Sequence, residues 1–300
     1  MKLHAMVAFA ATLLLYACSA TLNKSTNGTG YLSTDKSGKP MLLGANNRAS
    51  LLQAPFSEWF DKNYNSYVVN DSISNQVKPM IEKKKVVVYL GTWCGDSKRE
   101  VPRMLKILDA ADVKKNQVKL VMLDNKDSMY KQSPGHEEKG LNIHRVPTFV
   151  IYENEKEIGR IVESPVASLE KDLVSILKKE NYRPQYKAVV LMDSLFAVKQ
   201  VFEIDKNIQE TAALLKPVIK NAAELNTYGY VLMAAGKTDK AQLVYKMNLL
   251  LYPGNANLHD SLGEFYFKTG NFNLAKEQYG KVLELDPKNE QAKKMMEKFL

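Results

Sequence analysis

Residues 86–102, Val-Val-Val-Tyr-Leu-Gly-Thr-Trp-Cys-Gly-Asp-Ser-Lys-Arg-Glu-Val-Pro, constrain this chain more than any other stretch. Val86 to Leu90 is a β-branched, apolar run that reads as a buried strand. Gly91 breaks it, and Val101, Met104, Leu105 and Leu108 then recur on one face of a helix. Cys94 therefore stands between a strand end and a helix start. Unpaired backbone N–H groups and the helix dipole favour an anion there, the setting in which a thiol becomes a nucleophile. The plain alternative is a small cysteine filling a corner of the core.

Trp93-Cys94-Gly95-Asp96-Ser97 resembles the thioredoxin active-site segment Trp-Cys-Gly-Pro-Cys, placed between a strand and a helix. Pro102 falls where thioredoxins carry a proline inside the following helix, and Val146-Pro147-Thr148 resembles the cis-proline loop of that family. The resemblance spans roughly residues 55–180, about one domain. It implies an α/β thioredoxin-like fold, a central mixed sheet flanked by helices. It also implies that Trp93, Val146, Pro147 and Thr148 bind extended substrate backbone beside Cys94. Arg145 would then lie near the thiol, as a thiolate or carboxylate partner or as a surface ion pair. His144 precedes it.

The chain departs from the pattern at Ser97, which replaces the second cysteine, at Asp96, which replaces the proline, and at Val88, where many thioredoxins hold a buried Asp. A dithiol site resolves its mixed disulfide with its own second thiol, and Ser97 cannot do that. Ser97 is expected one turn from Cys94, as a hydrogen-bond donor to the thiolate. Gly95 and Asp96 tune the thiol in opposite senses, the helix start favouring the thiolate and the Asp96 carboxylate opposing it.

The 300 residues suggest two domains of ordinary globular composition, 45% hydrophobic and 25% charged. The net charge of +9 comes from scattered lysines without aromatic interleaving, which does not describe a nucleic-acid site. Lys2, the apolar run Met6 to Leu15 and Leu15-Tyr16-Ala17-Cys18 resemble a bacterial lipoprotein signal in which Cys18 is lipidated. Residues 1–18 are thus read as signal peptide and lipidation site. Ser19 and Ala20 follow without an acid, which by analogy with envelope lipoproteins implies outer-membrane retention with the domain on the periplasmic face. With Cys18 lipidated, Cys94 is the one free thiol of the chain. Residues 19–50, rich in Ser, Thr, Asn, Gly and Lys, read as a flexible tether.

Residues 51–181 are the thioredoxin-like domain. Within it the spacing predicts a helix from about Asp71 or Ser72 to Lys84, a strand over Val118–Leu123 and a loop with a helical piece over 124–140. A hairpin of Thr148–Tyr152 with Lys156–Val162 follows, and then a helix over 167–179. Residues 182–221 form a helical connector with two helices, near 188–201 and 208–219. Residues 222–300 hold an internal repeat. Tyr228-Gly229, Gly236, Ala241, Tyr245 and Pro253 recur as Leu262-Gly263, Gly270, Ala275, Tyr279 and Pro287, all offset by 34 residues. This is the tetratricopeptide period, and Glu290–Leu300 would cap the stack.

Two functions follow. Cys94 serves monothiol disulfide exchange on protein or peptide clients, as an enzyme of thioredoxin type. Alternatively the thioredoxin fold and the repeats form a redox-inactive adaptor. No pattern for a nucleotide, flavin, haem or other cofactor is present, and no second Cys or spaced His supports a metal on Cys94.

Overall fold

The computed structural model describes residues 30–299. The signal segment and Cys18 lie outside the described residues. The first part of the chain runs β1 (Tyr31–Thr34), β2 (Pro40–Asn46), α1 (Arg48–Leu51), α2 (Ser57–Ser66), α3 (Asp71–Ile81), β3 (Lys84–Leu90) and α4 (Gly95–Ala110). It continues through β4 (Val118–Met122), β5 (Thr148–Glu153), β6 (Lys156–Val162) and α5 (Leu169–Leu177). The sheet is mixed, in the order β1-β2-β4-β3-β5-β6. Only the β3–β4 pair is parallel; every other pair is antiparallel.

Alternation along β3 sorts its side chains between two cores. Val86, Val88 and Leu90 join α2, α3, α4 and α5 in the main core. Tyr89, on the opposite face, packs with Val121, Val150, Ile143 and Val146, and Trp93 and Cys94 lie against this smaller cluster. One face of the sheet is therefore layered with helices. The other carries the long loop between β4 and β5, whose one helical piece is a single 3-10 turn at Asp127–Met129.

The tether expected over residues 19–50 is corrected for its described part. β1 and β2 pair antiparallel, and β2 joins β4, extending the sheet at that edge. Polar composition hid the strand because only a short run, Met41-Leu42-Leu43, carries the buried side chains. The helix expected from Asp71 begins there, but its cap is Asn70, whose side chain accepts from the Ile73 amide at 3.2 Å. The helix over 167–179 and the hairpin form within two residues of their expected bounds.

The second part is helical throughout: α6 (Lys187–Val198), α7 (Val201–Lys206), α8 (Ile208–Leu215), α9 (Ala222–Ala234), α10 (Thr238–Leu251), α11 (Ala256–Lys268), α12 (Phe272–Leu285) and α13 (Glu290–Glu297). The connector thus holds three helices rather than two. A break at Lys199-Gln200 and another at Asn207 divide it, and Pro217 lies beyond α8. The 34-residue repeat appears as two helix pairs, α9 with α10 and α11 with α12. Gly236 and Gly270 take left-handed φ of 70° and 78°, ending the first helix of each pair. The pairs close tightly. A Cβ on Gly229 would stand 2.7 Å from the Tyr245 ring, and one on Gly263 3.2 Å from the Tyr279 ring. α13 buries Ala292 and Met295 against this stack.

Polar and aromatic contacts join the two parts. His144 lies between Tyr186 and Tyr228 with ring centroids 5.5 and 6.1 Å away. Asn142 donates to Asp193 at 2.8 Å and accepts from Lys237 at 2.7 Å. Tyr130, in the long loop, meets Tyr230 of α9 edge-on at 6.2 Å. Val162, the last residue of β6, belongs to the helical core.

Candidate functional site

β3 ends at Leu90, and the turn Gly91-Thr92-Trp93 delivers Cys94 to the N-cap of α4. Two backbone bonds fix the turn: Cys94 N donates to Gly91 O at 2.9 Å, and Lys98 N to Cys94 O at 3.0 Å. Thr92 is buried and its hydroxyl accepts from the Leu42 amide at 3.0 Å, which ties the turn to β2. Gly91 is needed for space as well as for breaking the strand, since a Cβ there would stand 2.5 Å from the Trp93 indole. That indole donates from Nε1 to Leu123 O at 2.8 Å, which sets its plane.

Cys94 is partly exposed and unbonded to any other cysteine. Its thiol donates to the Val146 carbonyl at 3.2 Å. Val146–Pro147 is cis, as the resemblance implied, and two bonds brace the loop around it. Thr148 Oγ1 donates to Arg145 O at 2.7 Å, and Glu163 N donates to Pro147 O at 2.7 Å. The structure thus brings together Trp93, Cys94, Val146, Pro147 and Thr148. Thr148 and Val146 are buried, so they act on the site through backbone and bracing rather than by open side chains.

Ser97 lies in the first turn of α4 after Cys94. Its hydroxyl accepts from the Gly91 amide at 3.2 Å and is fully buried. It supports the turn that carries the thiol. Gly95 is exposed, the first residue of α4. Asp96 turns its carboxylate to Arg99 at 2.7 Å, so part of its charge is met within the first turns of the helix.

Arg145 makes an ion pair, one of the two sequence alternatives, and reaches further than either expected. One Nη donates to the Ala223 carbonyl of α9 at 3.0 Å, the other lies 3.8 Å from Glu163, and the guanidinium stands 4.8 Å over the Tyr186 ring. It bridges the two parts of the chain at the edge of the cis-proline loop. Glu163 also accepts from Tyr186. Burial raises the Glu163 carboxyl above the usual range, Arg145 opposes that shift, and Asp96 adds to it. Neighbouring His144 is pushed down to about 3, first by burial and then by the charges of Arg145, Lys131 and Arg160. It is a neutral imidazole at neutral pH, with Nδ1 3.2 Å from Asn142 O.

One residue at this site carried no sequence signal. Lys131, in the long loop, is buried, and its ammonium lies 5.9 Å from the Trp93 ring centroid. A lysine among loop residues reads as solvated, and only the folded loop turns it inward. Among the described residues, no three His, Cys, Asp or Glu side chains are grouped to hold a metal, and no helix is long and apolar enough to cross a membrane.

Residues 56–178 match a family model described as thioredoxin. Residues 256–289 match one described as tetratricopeptide repeat. Comparison with curated proteins finds no match. Among solved structures, the 1.5 Å crystal structure of a protein of unknown function from Pseudomonas aeruginosa aligns over 45% of this chain and 92% of that one. The identity is 13% and the TM-score 0.35, too low to carry an argument. With the mixed sheet and the helix pairs, the matches establish a thioredoxin-like domain over residues 56–178, followed by helical-repeat structure that includes a tetratricopeptide repeat.

Proposed function

We propose that the protein carries out monothiol disulfide exchange through Cys94. The observation that carries this reading is the partly exposed thiol at the N-cap of α4, 3.2 Å from the carbonyl that precedes the cis proline. The thiolate is the nucleophilic form of such a group. The thiolate attacks one sulfur of a substrate disulfide. The new Cys94–sulfur bond forms, the substrate S–S bond breaks, and the second sulfur leaves with the electron pair as a thiolate. Ser97 offers no sulfur to reverse this, so release requires an external thiol that reduces the mixed disulfide and becomes oxidised in turn. Protein or peptide clients suit the site, because tetratricopeptide repeats commonly bind protein and α9 stands beside the cis-proline loop.

The second part of the reading is location. Cys18, after the apolar run Met6 to Leu15, serves as the lipid attachment point and holds the domain at a bacterial envelope, on the periplasmic face of the outer membrane. The adaptor alternative draws on two observations: no second thiol stands at Ser97, and the Arg145 guanidinium is engaged by Ala223 and Glu163. Intact mass after incubation with a small disulfide separates the two readings. The full chain with Cys18→Ser is expected to gain one thiol half per molecule, and the same chain with Cys94→Ala to gain none. A chain that gains no mass with Cys94 present favours the adaptor.

A further inference from the structure

The side chain of Lys131 is turned inward from the long loop. The residue is 6% exposed and its backbone is left-handed, with φ 55°, a conformation uncommon for a non-glycine residue. Two bonds hold the loop in that form, Lys131 N to Asp124 O and Asp124 N to Gln132 O, each 2.9 Å. The Asp124 carboxylate, buried beside it, is taken by the amides of Asn125 and Lys126 at 2.7 and 2.9 Å. The ammonium donates to Tyr130 Oη at 2.8 Å and lies 4.4 Å over the Tyr130 ring, with Trp93 on its other side. It forms no ion pair among the described residues. The carboxylates of Asp124 and Glu163 are its nearest opposite charges, neither in an ion pair with it, and an ammonium has three N–H donors, of which Tyr130 takes one.

The ammonium lines a cavity of about 360 Å³ between the long loop and the end of α9. Its walls include His136 and Lys139 from the loop and Ile143 and Val231 as apolar surface. The acid in the wall is Glu138. One of its oxygens accepts from Ser133 N and Oγ at 3.0 and 2.6 Å, and the other is 3.6 Å from His136. Ile143 of this wall belongs to the same apolar cluster as Trp93 and Cys94, which joins the cavity to the thiol's side of the sheet.

We propose that Lys131 is the anion-recognition residue of the Cys94 site, binding a carboxylate on the disulfide substrate. The apolar wall receives the body of that substrate. The inference rests on Cys94 acting as the exchange nucleophile. The exchange is balanced as before: Cys94 Sγ bonds one substrate sulfur, the other departs as a thiolate, and the thiol proton passes to water. The carboxylate is supplied either by a small thiol acid or by a peptide terminus.

The test uses the full chain with Cys18→Ser and measures second-order rates with two aromatic disulfides, anionic 5,5′-dithiobis(2-nitrobenzoate) and neutral 4,4′-dithiodipyridine. Lys131→Met should lower the anionic-to-neutral rate ratio about tenfold, and Lys131→Arg should restore it, as a charge-assisted contact requires. The neutral rate serves as the denominator that corrects for any general change at the thiol, and the midpoint in denaturant checks that Lys131→Met remains folded. A peptide disulfide with a free or an amidated terminus distinguishes the sources: a rate difference identifies peptides, and selectivity confined to the aromatic probe identifies small acids. An unchanged ratio in Lys131→Met overturns the proposal. If neither probe reacts, the nucleophile reading fails by itself. Titration with 4-nitrobenzoate, read at the Trp93 indole N–H resonance, then decides the anion site: a saturable shift lost in Lys131→Met upholds it, and no shift overturns it.

Discussion

The buried hydroxyl of Ser97 meets the Gly91 amide at 3.2 Å, which makes it a support for the turn that carries Cys94. Ser97→Ala leaves that amide without its acceptor in a dry setting, a loss of about 1–3 kcal/mol. Chemical denaturation should read this loss, while the alkylation rate of Cys94 should change little, because Ser97 is not spent on the thiol. A large fall in alkylation with unchanged stability would return Ser97 to the role the sequence assigned it. The sequence identified Cys94, Trp93 and Pro147 because their motif fixes both residue type and place along the chain. It did not foresee the Gly91 bond of Ser97 or the Ala223 bond of Arg145, and it missed Lys131. The direction a side chain takes is decided by partners far away in sequence, such as Ala223 for Arg145.

Elements built from local spacing were legible. The valine run of β3, the hairpin of β5 and β6, and the 34-residue period of the helix pairs all form as the pattern requires. Small residues set the tolerance of the helix pairs. Gly229→Ala should destabilise the chain by about 1–3 kcal/mol, because the new methyl meets the Tyr245 ring at 2.7 Å in a packed interior. Gly263→Ala should cost less, with its nearest ring atom at 3.2 Å. Thermal unfolding of the two variants ranks them, and an equal or reversed order would mean that the helices slide apart without penalty. The edge formed by β1 and β2 escaped the sequence reading, since three buried side chains in a polar stretch carry no usable period.

Across the whole molecule, the joint between thioredoxin-like and helical parts is aromatic, with the neutral His144 at its centre. Unfolding returns this imidazole to water, where it takes a proton near pH 6.5, whereas the folded chain resists protonation down to about 3. Between those values the unfolded state holds more protons, so stability is full above about 6.5 and falls as the pH drops toward 3. His144→Phe keeps a ring between Tyr186 and Tyr228 and removes the titration. Its midpoint in denaturant should vary less between pH 7 and pH 4 than that of the parent chain. Equal slopes would assign the acid sensitivity to other groups. None of this joint was visible in sequence, because it unites His144 with residues more than 40 positions away.

The β1–β2 hairpin also bears on the reach of the proposed lipid tether. With Cys18 as the proposed attachment point, a free segment running to residue 50 would let the domain range roughly 110 Å from the lipid surface at full extension. Pairing of Tyr31–Thr34 with Pro40–Leu43 shortens the span to the 13 residues before β1, a radius of about 45 Å. Anchored in that way, the domain would be confined to a layer not much thicker than a membrane. Clients would have to come to it, rather than be sought across the compartment.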